Sequence, residues 1–158
     1  MFKFGTLKAF NARNNPRTKA VSVLKNGHVV ILDEAAKTAT IPADATAAKG
    51  KDLYVVNNIV DKPEIRNSTD FEIAIGEYVR GFYLADLVDL PVEFDSTIVT
   101  GTYSSIAVGD KLVAEAATGK WVEADPATYH IYLLIVEKTT FGNGSGFYAV
   151  VKTNDLIV

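Results

Sequence analysis

Short apolar runs, each broken by turn-forming residues, recur along the whole chain, and nowhere do apolar positions keep a 3.6-residue period for more than about two turns. The runs 19–24 and 28–32 flank Lys25-Asn26-Gly27, and Asn-Gly between two such runs predicts a β-hairpin. Residues 38–41 predict a third short strand, stopped at Pro42. Residues 43–51 are rich in Ala, but Thr46 and Gly50 favour a loop over a helical turn. A strand is expected over 53–58, then a long loop to Asp70. Residues 71–75 alternate as a half-buried strand does, and 78–84 continue after a Gly76-Glu77 turn. Residues 84–90 have helical spacing for one or two turns before Pro91 closes them. Residues 92–94 and 97–100 read as short strands. Residues 111–117 and 120–124 pair across Thr118-Gly119, with Trp121 turned inward among Leu112 and Val122; 131–139 and 147–153 form a last hairpin across the Gly-rich stretch 141–146. About ten strands at this spacing predict a mostly β fold, an antiparallel β-sandwich or partly closed β-barrel with at most one or two short helices.

Composition narrows the chemistry. A chain of 158 residues with 48% hydrophobic and 22% charged side chains has the balance of one packed domain. It contains no Cys, which removes disulfides, thiol nucleophiles, Cys-ligated zinc and iron–sulfur clusters. His28 and His130 are the only imidazoles, too few for a multi-His metal site, so no metal or cofactor is expected. The first residues lack the apolar core and cleavage site of a secretory signal, and no apolar stretch approaches the length of a membrane span.

The net charge of -3 hides an asymmetry. Residues 1–32 hold Lys3, Lys8, Arg13, Arg17, Lys19 and Lys25 with no acid, so the remainder carries 10 basic against 19 acidic side chains. Residues 10–17 are turn formers without periodicity. The chain is therefore read as a basic N-terminal arm or loop, 1–18, followed by a single β-rich domain, 19–158. Lys3, Lys8, Arg13, Arg17 and Lys19 are the candidate docking residues for an acidic protein surface; a merely solvated loop is the plainer alternative. Nucleic acid is not expected as a partner, because six charges over 32 residues are sparse and the rest of the chain repels phosphate.

Catalytic patterns are weak. Residues 76–81 have the glycine spacing of a phosphate loop but are followed by Phe82-Tyr83 instead of Lys and a hydroxyl. The carboxylates Asp86, Asp89, Glu93 and Asp95 flank a proline and read as a solvated or docking surface before they read as an acid/base pair. Trp121, Tyr129 and Tyr132, with Tyr78, Phe82, Tyr83 and Tyr103, offer an alternative: an aromatic face for carbohydrate, although on alternating strands such residues more often fill a core.

The segment Ile106-Ala107-Val108-Gly109-Asp110-Lys111-Leu112-Val113, followed by Thr118-Gly119-Lys120-Trp121-Val122, resembles capsid decoration (cement) proteins of tailed bacteriophages, in which a GD-x-L-V strand returns through a polar turn as a G-K-W/V strand. Ile75-Gly76-Glu77-Tyr78-Val79-Arg80 upstream and Ile135-Val136-Glu137-Lys138-Thr139-Thr140 downstream are similar to flanking strands of that unit, so the resemblance covers about residues 72–153. It implies a catalytically inactive structural virion protein, made in the host bacterial cytoplasm. Such a protein binds the major capsid protein on the outside of an assembled shell, where several subunits meet, and stiffens the shell against internal DNA pressure. Self-association into a homo-oligomer stays open. A carbohydrate-binding module on a virion or tail surface is the alternative function.

Overall fold

The computed structural model describes residues 2–4, 14–62, 64–65, 68–141 and 144–154. Within them the protein is mostly β and is built from two sheets. Strands β2 (Asn14–Ala20), β3 (Val29–Asp33), β4 (Thr38–Thr40), β5 (Tyr54–Val56) and β6 (Tyr78–Tyr83) close a barrel in the order β2-β4-β3-β5-β6. The second sheet runs β1-β7-β12-β11-β9-β10-β8. Its strands are β1 (Phe2–Phe4), β7 (Pro91–Asp95), β8 (Val99–Thr100), β9 (Lys111–Ala114), β10 (Trp121–Glu123), β11 (Ile131–Phe141) and β12 (Gly144–Thr153). Pairing is antiparallel throughout except for β2 with β4 and β8 with β10.

The two sheets share a wall. Val30, Val56 and Val79 point into the barrel with Ala20, Leu24, Ala39, Phe71 and Ile73. The alternate residues Val29, Val55 and Phe82 point out of the barrel into a larger core with Phe94, Leu112, Trp121, Leu133 and Phe147 from the seven-stranded sheet. Strands buried on both faces read as continuous apolar pairs, which is why Val29-Val30 and Val55-Val56 show no alternation.

The seam is held by backbone groups. The Trp121 indole Nε1–H donates to the Gly27 carbonyl at 3.0 Å. Val29 N–H donates to Gly119 O at 2.7 Å, and Ala117 N–H to Pro42 O at 2.8 Å. Gly27 has φ +99, and a Cβ there would overlap Ile98 Cδ1. Glycine is thus required twice at this position, by conformation and by space.

The hairpins 111–124 and 131–153 form as expected, as β9–β10 and β11–β12. The first predicted hairpin does not: β2 pairs with β4 and β6, and β3 with β4 and β5. The Asn26-Gly27 turn still exists, but its chemistry points elsewhere. Asn26 Oδ1 accepts from Asn58 N–H at 2.7 Å and its Nδ2 donates to Asn58 O at 2.8 Å, so the turn is tied to the segment after β5. Residues 43–51 are also corrected. A helix α1 (Ala45–Lys49) forms because Asp44 caps it, its carboxylate accepting from Ala47 N–H at 2.8 Å. The strand expected over 97–100 is shortened to β8 because Asp95 caps a 3-10 turn, Ser96–Ile98, accepting from Thr97 N–H at 2.8 Å. Of the strand expected over 71–75, only the isolated bridge of Ile73 to Leu24 remains.

Of the segment read as an arm, the described parts are strand. Phe2–Phe4 pairs with β7, and Asn14 onward closes the barrel against β6. Paired main-chain groups, rather than apolar alternation, hold these residues; positions 5–13 lie outside the described residues.

Candidate functional site

The sequence places charges and small polar residues at 17–20 and apolar residues at 21–24, and the barrel sorts them by face. Thr18, Ala20 and Leu24 are buried and Ser22 is half-buried, whereas Arg17, Lys19, Val21 and Val23 are exposed. The alternation runs past the end of β2, so the outer face carries two cations followed by two β-branched apolar side chains. Val21 and Val23 are 50% and 48% exposed. On β2 itself Thr18 and Ala20 turn inward, and Val21 and Val23 are exposed in the bend that follows the strand.

Neighbouring strands leave this face uncovered. Lys19 pairs with Tyr78, the ladder then stops at the bend 21–22 facing the turn 74–77, and pairing resumes only at the isolated bridge of Leu24 with Ile73. Gly76 has no side chain, and a Cβ there would meet nothing within 4 Å. Tyr78 is 61% exposed, with the Lys19 ammonium 5.1 Å from its ring centroid. On the other flank β4 runs parallel, and Lys19 N–H donates to Lys37 O at 2.9 Å, which brings the exposed Lys37 beside the cationic end. Past β4 an open groove of about 320 Å³ is lined by Val21, Ser22, Thr40, Ile41, Pro42, Ala43 and Ala117. Ala117 reaches it from the β9–β10 turn with φ 65, so the groove spans the seam between the two sheets. Glu77 sits on the same rim, where hydrogen bonds from Ala74 N–H and then Lys62 hold its carboxyl below the usual range.

Two buried polar groups lie near this region. Thr18 Oγ1 has no hydrogen-bond partner. His28 Nδ1 accepts from Lys25 N–H at 3.4 Å while its Nε2 is buried without a partner. Burial, then the charges of Lys120 and Lys25, lower its pKa to about 4.

The structure brings together two of the five predicted docking residues, Arg17 and Lys19. Lys3 lies on β1 of the other sheet, in register with Glu93; Lys8 and Arg13 lie outside the described residues. Lys37, Val21, Val23 and the groove residues were missed. Period-two exposure over 17–24 was the available signal, hidden because the inward set begins with Thr and Ala.

The carboxylates of 86–95 are dispersed: Asp86 in a 3-10 turn, Asp89 paired with Lys152 at 2.7 Å, Glu93 on β7 and Asp95 as a cap. Trp121, on which the aromatic face centred, is 1% exposed, and Tyr129 and Tyr132 lie under Lys49 and Lys111. Among the described residues no group of His, Asp or Glu comes together to hold a metal, and no helix is long and apolar enough to cross a membrane. No protein-family model, curated protein or solved structure matches this chain.

Proposed function

We propose that this chain is a structural docking protein that binds the outer surface of an assembled tailed-phage capsid and stabilises it. The observation that carries the reading is the outer face of residues 17–23, where the end of β2 presents cations and the bend after it presents exposed valines, while Thr18 and Ala20 turn inward. The cations make this face complementary to an acidic protein surface, and the two exposed valines give such a surface apolar area to cover. A sugar-binding reading has less support, because Trp121 faces the core.

Tailed-phage particles purified from the source of this sequence are expected to contain the chain at many copies per head by mass spectrometry. Purified protein is expected to co-sediment with heads stripped of it, less so as salt rises, because exposed charges are screened beyond about 8 Å at physiological ionic strength. Charge reversal by Arg17→Glu with Lys19→Glu is the clean perturbation; a truncation at Lys19 removes most of β2 and opens the barrel. Particles that lack the chain overturn the proposal.

A further inference from the structure

We infer that the chain pairs with a second copy of itself through an apolar patch on one end of the barrel, built from Ile59, Val60, Ile75 and Tyr78. The inference stands apart from the docking reading, whose face borders this patch at Lys19.

Hydrogen bonds bring three separate segments to that end. β2 stops at Ala20, whose N–H donates to Glu77 O at 2.9 Å and whose carbonyl accepts from Gly76 N–H at 2.8 Å, so the turn 74–77 sits against the end of the strand. Ile75 is in that turn, and Tyr78 opens β6. On the other side of β6 the chain leaves β5 and stays close. Asn57 N–H donates to Arg80 O at 2.9 Å, Asn58 Nδ2 donates to Tyr78 O at 2.8 Å, and Asn58 Oδ1 accepts from Arg80 N–H at 2.7 Å. Ile59 and Val60 come next and emerge beside Tyr78. Ile59 is 71% exposed, Ile75 67%, Tyr78 61% and Val60 37%. With Val21 and Val23 in the neighbouring bend, this end holds six of the eight exposed large apolar side chains among the described residues, so the clustering is not the scatter of an ordinary surface.

Area and charge both favour a second copy as the occupant. The four side chains expose on the order of 400 Å² per copy, and at the roughly 60% apolar share of subunit interfaces this corresponds to about 1,300 Å² buried in total, inside the range of specific interfaces. The charges close to the patch are satisfied within one chain: Glu77 by Ala74 N–H at 2.8 Å and Lys62 at 3.4 Å, and Glu72 by Lys25 at 3.5 Å. At the borders, Lys19 and Asp61 have no ion-pair partner among the described residues. Lys19 lies on β2 and Asp61 follows Val60 beyond β5, and these two strands flank β6 on opposite sides. A two-fold axis through the patch therefore sets each Lys19 against the partner subunit's Asp61 while the apolar side chains of the two copies meet between them.

The test is sedimentation equilibrium of the full chain over protein concentrations from about 1 μM to about 1 mM. A monomer–dimer equilibrium is expected, with the mass rising from 17.1 kDa toward twice that value. Ile75→Asp is expected to weaken pairing tenfold or more and, in an exposed turn, to leave the circular dichroism spectrum unchanged. Val108→Asp adds the same charge at a similarly exposed valine outside the patch and is expected to leave pairing as it was. Lys19→Glu and Asp61→Lys are each expected to weaken pairing, and the two together to restore it. A monomer at every concentration, equal pairing by wild type and Ile75→Asp, equal losses in Ile75→Asp and Val108→Asp, or additive losses in the charge-exchanged double variant overturns the inference. No capsid enters these measurements, so shell docking stands or falls on co-sedimentation alone.

Discussion

Acid should loosen this protein through one histidine. His28 is 7% exposed, its Nδ1 already faces the Lys25 N–H, and its nearest charges are cationic. A second ring proton would have to sit on Nδ1, pointing at another donor, in a site from which water is excluded. The folded-state pKa therefore falls from the ordinary 6.5 to about 4. Between those values the unfolded chain binds a proton that the folded chain does not, so stability is full above about pH 7 and declines as pH falls toward 4. At ~1.4 kcal/mol per pH unit the whole window is worth about 3 kcal/mol, of which about 2.5 kcal/mol is gone by pH 4.5. Urea unfolding followed by Trp121 fluorescence at pH 7.5 and 4.5 measures this. His28→Asn is the reference, because the amide oxygen can still accept from Lys25 N–H but does not titrate, and carboxylate titrations common to both proteins cancel. With a urea m-value of about 2 kcal/mol/M for a chain of this size, the wild-type midpoint should fall by ~1 M more than that of the variant. Equal losses in the two proteins, or a His28 ring resonance titrating near its ordinary value, would refute the reasoning.

Three further outcomes are expected. Thr18→Val removes a buried hydroxyl without a partner and keeps its shape; it should raise stability by about 1 kcal/mol and Tm by ~2–4 °C, and an equal fall in Tm would mean that the hydroxyl has a partner. Gly27→Ala forces a methyl against Ile98 Cδ1 at φ +99 and should lose ~2 kcal/mol or more. Ile98→Val removes that carbon, so the same glycine change made in the Ile98→Val background should be smaller, and denaturant midpoints of the four proteins decide it. Trp121→Phe leaves the Gly27 carbonyl buried without its donor and should lower stability by ~1–3 kcal/mol; the single Trp of the native protein should emit in the blue, and red emission would place the indole in water instead.

Much of the architecture can be read from local pattern. Turn chemistry and apolar runs locate β3–β6 and the two C-terminal hairpins, because Thr118-Gly119 closes its turn between strands that are neighbours in sequence and the longer strands meet across the Gly-rich stretch 141–146. The same logic fails at Asn26-Gly27. That dipeptide makes its turn, yet a two-residue signal says nothing of which strands lie beside it, and closure of the barrel gives β2 to β4 and β6. The helix α1 was hidden for a related reason: the Asp44 cap acts only once Ala48 has a core to pack against.

The candidate site divides along the same line. Residue order alone determined the mostly β class, the lack of thiol chemistry, and the cationic excess over 1–32 in an otherwise acidic chain, since these depend on composition and near-neighbour periodicity. Which of those cations share a surface was a question of tertiary structure. Lys3 went to the other sheet, Arg17 and Lys19 to the barrel, and Lys37 joined them through the parallel pairing of β4. Only barrel closure could decide that Thr18 and Ala20 point inward while Val21 and Val23 stay exposed: β2 is a barrel strand only to Ala20, the chain bends there, and Leu24 re-enters the barrel core through its bridge to Ile73.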